Sequence, residues 1–73
     1  MRNALIDASR HHFEAHIEKH RMNVEVYLTN PVGIGEHSDI MESIECELGK
    51  MAEYQDKLEM LEYFLVMVQR MLK

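Results

Sequence analysis

The sequence is poor in residues that interrupt helices or cross-link small domains. It has one cysteine, Cys46, one proline, Pro31, and three glycines among its 73 residues. A single cysteine excludes an intrachain disulfide, and an isolated thiol is typical of a reducing cytoplasm. A chain of this length buries only about 60% of its unfolded surface on folding. Without disulfides, so small a domain usually gains stability from a metal or from other chains.

Long apolar runs and basic stretches are also missing. The longest uninterrupted apolar run, residues 63–68, is far below the ~20 residues that span a bilayer. Asp7 interrupts the N-terminal segment before a signal-peptide core can form. Residues 36–62 hold nine acids against two lysines, and such an acidic stretch repels phosphate backbones. These absences predict a cytoplasmic protein that binds neither membranes nor nucleic acid.

The chain does contain two long segments without proline, separated by a cluster of turn residues. The cluster, about residues 29–38, holds the only proline and two of the three glycines, and it predicts a loop. Residues 3–28 space their apolar side chains as a helix does, in steps of four and three from Phe13 onwards if His20 is counted. Residues 23–29 also alternate like a strand, and that alternative stays open, although a lone strand would have no partner here.

The second segment, about residues 39–72, begins with a helix-capping signal. Asp39 precedes Glu42 by three positions, and Ser38 is the alternative cap. Behind the cap, apolar residues repeat every seven positions to the end of the chain, as in a coiled-coil seam. One row of this seam comprises Ile44, Met51, Leu58, Leu65 and Leu72, and the other comprises Ile40, Tyr54, Leu61 and Val68. Glu47 interrupts the second row, and Gly49 lies on the opposite face.

Together these segments predict an all-α fold, a two-helix antiparallel hairpin that forms one domain over residues 1–73. At ~1.5 Å per residue the helices are about 39 and 50 Å long. Folding back places residue 61 near residue 7, and residues beyond about 67 then have no partner in their own chain. Because this end is the most apolar part of the chain, we expect a second copy to cover it, as in a four-helix bundle. The predicted oligomer interface comprises Leu58, Leu61, Phe64, Leu65, Val68, Met71 and Leu72.

Three histidines provide the alternative hypothesis, a metal-binding helical protein. His12, His16 and His20 stand four positions apart on the first helix, and histidines at this spacing can share a metal ion. The outer two are about 12 Å apart along the helix axis, so a site needs carboxylates from the second helix or from another chain. A polar stripe on the helix explains the same pattern without any metal.

Four acids suggest a third hypothesis. Glu42 with Glu45, and Glu53 with Asp56, resemble the acidic motifs of all-helical nucleotide pyrophosphohydrolases of the MazG and dUTPase-like group. That resemblance implies magnesium-dependent nucleotide hydrolysis. In that group the two motifs face each other on different helices, whereas here both lie on one helix and span roughly 20 Å. We therefore predict no enzymatic activity and no cofactor.

The loop sequence NPVGIGEHSD, residues 30–39, and the stretch AEYQDKLEML, residues 52–61, carry a broader resemblance. They are similar to short uncharacterised helical proteins predicted in tailed phages of marine bacteria, over about residues 4–62. The resemblance implies a phage-encoded or environmental protein of a bacterial cytoplasm or virion, with no implied activity. We therefore expect a non-enzymatic, self-associating adaptor or small structural protein. Its partner is itself or another protein bound through the C-terminal helix.

Overall fold

The computed structural model describes residues 1–29 and 39–72, which form two α-helices. Helix α1 spans Arg2–Thr29 and helix α2 spans Ile40–Met71. The helices pack against each other as an antiparallel hairpin about 58 Å long. This arrangement confirms the predicted all-α hairpin, and the predicted helix bounds differ from the observed ones by one residue at each end. The predicted loop lies outside the described residues, except for Thr29, which ends α1.

The end of α1 is helical rather than extended. The helix continues through Thr29, whose hydroxyl donates a hydrogen bond to the carbonyl oxygen of Glu25 at 2.8 Å. Val24 and Tyr27 are half-buried and continue the helical spacing of the earlier apolar residues. A helix satisfies its backbone groups internally, whereas a single strand would leave them unpaired. This decides the alternative for residues 23–29 in favour of a helix.

Helix α2 begins at the predicted cap. The Asp39 carboxylate accepts a hydrogen bond from the backbone N–H of Glu42 at 3.0 Å, and the Asp39 backbone is extended, as at an N-cap. Its carbonyl oxygen also accepts the first helical hydrogen bond, from the N–H of Ser43. Glu42 in the first turn and Arg70 in the last turn complement the helix dipole. Asp39 is therefore confirmed as the cap, while Ser38 lies outside the described residues.

The heptad seam of α2 lies between the helices. Its half-buried positions are Ile40, Ile44, Glu47, Met51, Tyr54, Leu58, Leu61, Leu65 and Val68. Leu72, the last residue of the seam, is exposed in the hairpin and caps the helix C-terminus, in line with the expectation that residues beyond about 67 have no partner in their own chain. The Arg10 guanidinium bonds both to Glu62 of α2 and to Asp7 of its own helix, so residue 7 lies close to this part of α2, as predicted. The half-buried Val68 extends the contact one residue beyond the predicted limit of about residue 67.

The hairpin has very little interior. Within residues 1–29 and 39–72 no apolar side chain is buried, and His20, at 5% exposed, is the one buried residue. Gly49 is exposed, as predicted, with open space where a Cβ would stand. Neither described helix combines the length and the apolar character needed to cross a membrane.

Candidate functional site

Glu47, which interrupts the heptad seam of α2, makes polar contacts with α1. Nδ1 of His20 lies 2.5 Å from one carboxylate oxygen of Glu47, and Nδ2 of Asn23 donates to the other oxygen at 3.2 Å. The side chains of His20 and Glu47 are both nearly buried. We call these three residues the polar bridge. Because both carboxylate oxygens find partners on α1, the bridge satisfies a buried acid that would otherwise be costly.

The polar bridge keeps its carboxylate ionised. Burial opposes the charge on Glu47, but hydrogen bonds from His20 and Asn23 outweigh that effect and hold the pKa of Glu47 below its ordinary value. The Glu47 carboxylate is therefore ionised at neutral pH. The sequence showed Glu47 only as a break in an apolar row; its partners stand 27 and 24 positions away, so no local spacing could reveal them.

The other histidines gather around one tyrosine. The ring of His16 stacks on Tyr54 of α2, with ring centroids 4.3 Å apart and an interplanar angle of 11°. The His12 ring meets His16 edge-on at 4.5 Å, and His20 lies 6.3 Å from His16 on the other side. Lys57 places its ammonium nitrogen 4.7 Å from the Tyr54 ring centroid. This histidine–tyrosine stack joins the helices beside the polar bridge.

The environment of His16 disfavours a charge on its ring. Its Nδ1 is buried and has no hydrogen-bond partner among the described residues. Burial first, and then the nearby positive charges of His12, Lys19, His20 and Lys57, lower the pKa of His16 from its ordinary value of 6.5. A proton added to this ring would meet positive neighbours and no carboxylate partner of its own. The stack is therefore built for an uncharged imidazole.

The three histidines share a helix face, as predicted, but they make different contacts. His20 bonds to Glu47, and His16 stacks on Tyr54. In the described part of the chain no group of three or more His, Cys, Asp or Glu side chains is placed to hold a metal ion. A metal bound by His12 and His16 would need further ligands from outside the hairpin. Metal binding therefore stays a hypothesis.

The four acids of the hydrolase hypothesis are spread along α2. Glu42 and Glu45 line a shallow pocket of about 470 Å³ at the start of the helix. Glu53 accepts a hydrogen bond from Lys57 at 2.9 Å, and that bond lowers the pKa of Glu53. Asp56 is exposed. The structure thus separates the two acidic pairs along one helix, and the predicted absence of catalytic residues stays a prediction.

A second apolar row runs along α2 beside the seam. We call it the apolar stripe: Met60, Phe64, Met67 and Met71, which are 62%, 47%, 41% and 77% exposed. Spacings of four, three and four place these side chains on one helix face. Next to the stripe is a groove of about 390 Å³ between the helices. Its lining residues are Ser9, Phe13, Lys57, Met60, Leu61 and Phe64.

The predicted interface residues divide between the seam and the surface. Those that are half-buried in the seam are Leu58, Leu61, Leu65 and Val68. Phe64, Met71 and Leu72 are exposed. Met60 and Met67 are exposed on the stripe and were not among the predicted residues. Their signal was present in the sequence as a second helical row, offset from the heptad seam.

The terminal part of the hairpin also has one ion pair across the helices. The Arg10 guanidinium donates to Glu62 at 2.8 Å and to Asp7 of its own helix at 3.2 Å. The hydrogen bond to Glu62 raises the pKa of Arg10. All three side chains are at least partly exposed, so solvent screens this pair far more than the polar bridge.

The fold and these contacts define a small two-helix hairpin with a polar bridge and an exposed apolar stripe. No protein-family model, curated protein or solved structure matches the chain. Its function is therefore inferred from its own side chains.

Proposed function

We propose that this protein is a non-enzymatic, self-associating helical module, in which two or more hairpins pack into a helical bundle and act as an adaptor or small structural component. One observation carries the proposal: no apolar side chain among the described residues is buried, although 47% of the sequence is hydrophobic. A hairpin stabilised only by half-buried side chains obtains little of the burial that drives folding.

The accessible surface supports the same conclusion. The chain exposes 5869 Å². A compact monomer of 8.6 kDa is expected to expose about 4,700 Å². The excess, about 1,200 Å² per chain, is larger than the ~800 Å² that each partner loses in a standard protein interface. Covering that excess with another hairpin would give each chain the burial that it lacks alone.

The arrangement of the helices explains why association is the economical solution. Each helix has a single neighbour in the hairpin, so only one side of each is covered. In a four-helix bundle every helix has two close neighbours, and the side chains between them form a shared interior. The setting that we propose, a bacterial cytoplasm or a virion, follows only from the sequence resemblance and stays a proposal.

Absolute mass in solution, measured by light scattering over a range of concentrations, tests the proposal together with thermal unfolding followed by circular dichroism. We expect a mass of at least twice 8.6 kDa. We also expect a melting temperature that rises with protein concentration, since association stabilises the folded state by mass action. A folded species of one-chain mass, with a melting temperature independent of concentration, would contradict self-association.

A further inference from the structure

We infer that a second copy of this chain docks on the apolar stripe, with Phe64 as the central anchor and the groove beside Phe13 as the pocket that receives the partner's side chains. The inference rests on the proposed self-association and adds which face performs it. That face differs from the seam, which the hairpin already uses for its own two helices.

The stripe is available because all four of its side chains are exposed and lie outside the seam that packs on α1. At about 100° per residue, its four positions lie roughly 110° around α2 from the heptad seam. Contacts to a partner therefore do not compete with contacts inside the hairpin. Phe64 and Met60 also line the groove, so the stripe continues onto Phe13 of α1. Aromatic anchors next to a pocket are the side chains that contribute most to binding in protein interfaces.

Charge favours this face over the remainder of the molecule. The chain has a formal net charge of −5, so two copies repel each other in most orientations. The stripe itself has no charged member between Met60 and Met71. At its inner end, Lys57 and Glu53 neutralise each other through their hydrogen bond. Two acidic copies can therefore approach along Phe64, Met67 and Met71 without burying unpaired charges, while the exposed Asp56 lies one turn before Met60 at the rim of the stripe.

A second copy of the chain is the partner that best accounts for the excess accessible surface. Each chain exposes about 1,200 Å² more than a compact monomer of its size, and a symmetric dimer covers the same patch on both copies at once. A partner of another kind would have to bring a matching apolar surface of its own. A second copy brings that surface by construction.

The test compares the mass of the wild type with those of two double variants. Met60→Glu with Phe64→Glu places two charges on the stripe. Met22→Glu with Val26→Glu is the matched control on α1, since those side chains are 57% and 56% exposed. We expect the stripe variant to associate at least about a hundredfold more weakly, because unpaired charges would be buried, and to reach one-chain mass. The control should keep the wild-type mass.

A spin label reports on the same face even where the stripe variant fails to fold. In a Cys46→Ser background, a label at Met67→Cys should lose mobility as the protein concentration rises, while a label at Met22→Cys should not change. If the wild type assembles but the stripe variant keeps its mass, or only the label at position 22 responds, then the docking face is wrong and self-association stands. If the wild type itself has one-chain mass, then the proposed function fails.

Discussion

The two ends of the hairpin are held together by different chemistry. Towards residues 29 and 39 the helices meet through the polar bridge of His20, Asn23 and Glu47, and the His16–Tyr54 stack follows at the middle of the hairpin. Near the termini, the seam is made of leucines, and the cross-helix polar contact is a solvent-exposed ion pair. The apolar stripe also belongs to this terminal half.

The two kinds of contact contribute differently to the packing of the helices: polar contacts fix their alignment, whereas apolar contacts favour packing without fixing it. A leucine seam stabilises many alignments of two helices almost equally, because apolar contacts are non-directional. A buried carboxylate with two partners on the other helix is satisfied in one alignment only, which is the role that buried polar groups have in coiled coils. The polar half therefore sets the register, and the terminal half carries the exposed apolar stripe on which the proposed assembly depends.

The largest effect on the difference between the two halves is expected from removing the carboxylate of the polar bridge. Glu47→Ala leaves His20 and Asn23 without their partner, so we expect the free energy of unfolding to fall by about 2 kcal/mol. Urea unfolding followed by circular dichroism measures the change. Glu45→Ala, an exposed acid on the same helix, is the control and should change stability little. Equal effects of the two substitutions would show that the bridge does not hold the helices.

The second prediction concerns acid, and it separates the histidine–tyrosine stack from the leucine seam. The pKa of His16 is lowered in the fold, so below its ordinary value of 6.5 the unfolded chain binds more protons than the folded chain. The stabilisation is fully present above that value and is lost as the pH falls through it. We therefore expect the melting temperature to drop between about pH 7.5 and pH 5.5.

Variants at two histidines test whether His16 causes this fall in the melting temperature. His16→Gln should remove most of the acid sensitivity, because the charge that develops among His12, Lys19, His20 and Lys57 is then missing. His11→Gln changes an exposed histidine of the same helix and should keep the wild-type drop. The same loss of sensitivity in both variants, or in neither, would argue against the stack as its source.

A smaller effect, in the opposite direction, is expected from Gly49. The added Cβ of alanine would meet nothing within 4 Å, so Gly49→Ala gains helix propensity without a steric cost. We expect a stabilisation of about 0.5–1 kcal/mol in urea unfolding. The reverse change, Ala52→Gly at another exposed position of α2, should destabilise by a similar amount. A destabilised alanine variant would mean that this face of the helix is covered in solution.

The smallest effect should come from the terminal ion pair. Arg10→Gln removes the bond to Glu62, and an exposed pair of this kind contributes at most about 0.5 kcal/mol. A double-mutant cycle with Glu62→Gln measures the coupling between the two side chains, which should shrink in about 1 M salt. A coupling as large as the effect of Glu47→Ala would remove the difference between the two halves.

Local features of this protein were predictable because they depend on neighbouring residues. The absence of proline within residues 3–28 and 39–72, and the spacing of apolar residues there, defined both helices. The pair Asp39 and Glu42 marked the start of α2, since a cap is formed within one helical turn. Gly49 was placed on the outer face by helical geometry alone.

Contacts between the helices were decided only by the tertiary structure. The sequence contained the row of histidines and the acid that breaks the seam, but it did not show that His20 meets Glu47 or that His16 meets Tyr54. A shift of the helices by one turn keeps every leucine in the seam and changes all of these partners. The apolar pattern therefore determined that the two helices pack together, and the pairing of buried polar groups across the hairpin decided where, because only one alignment satisfies them.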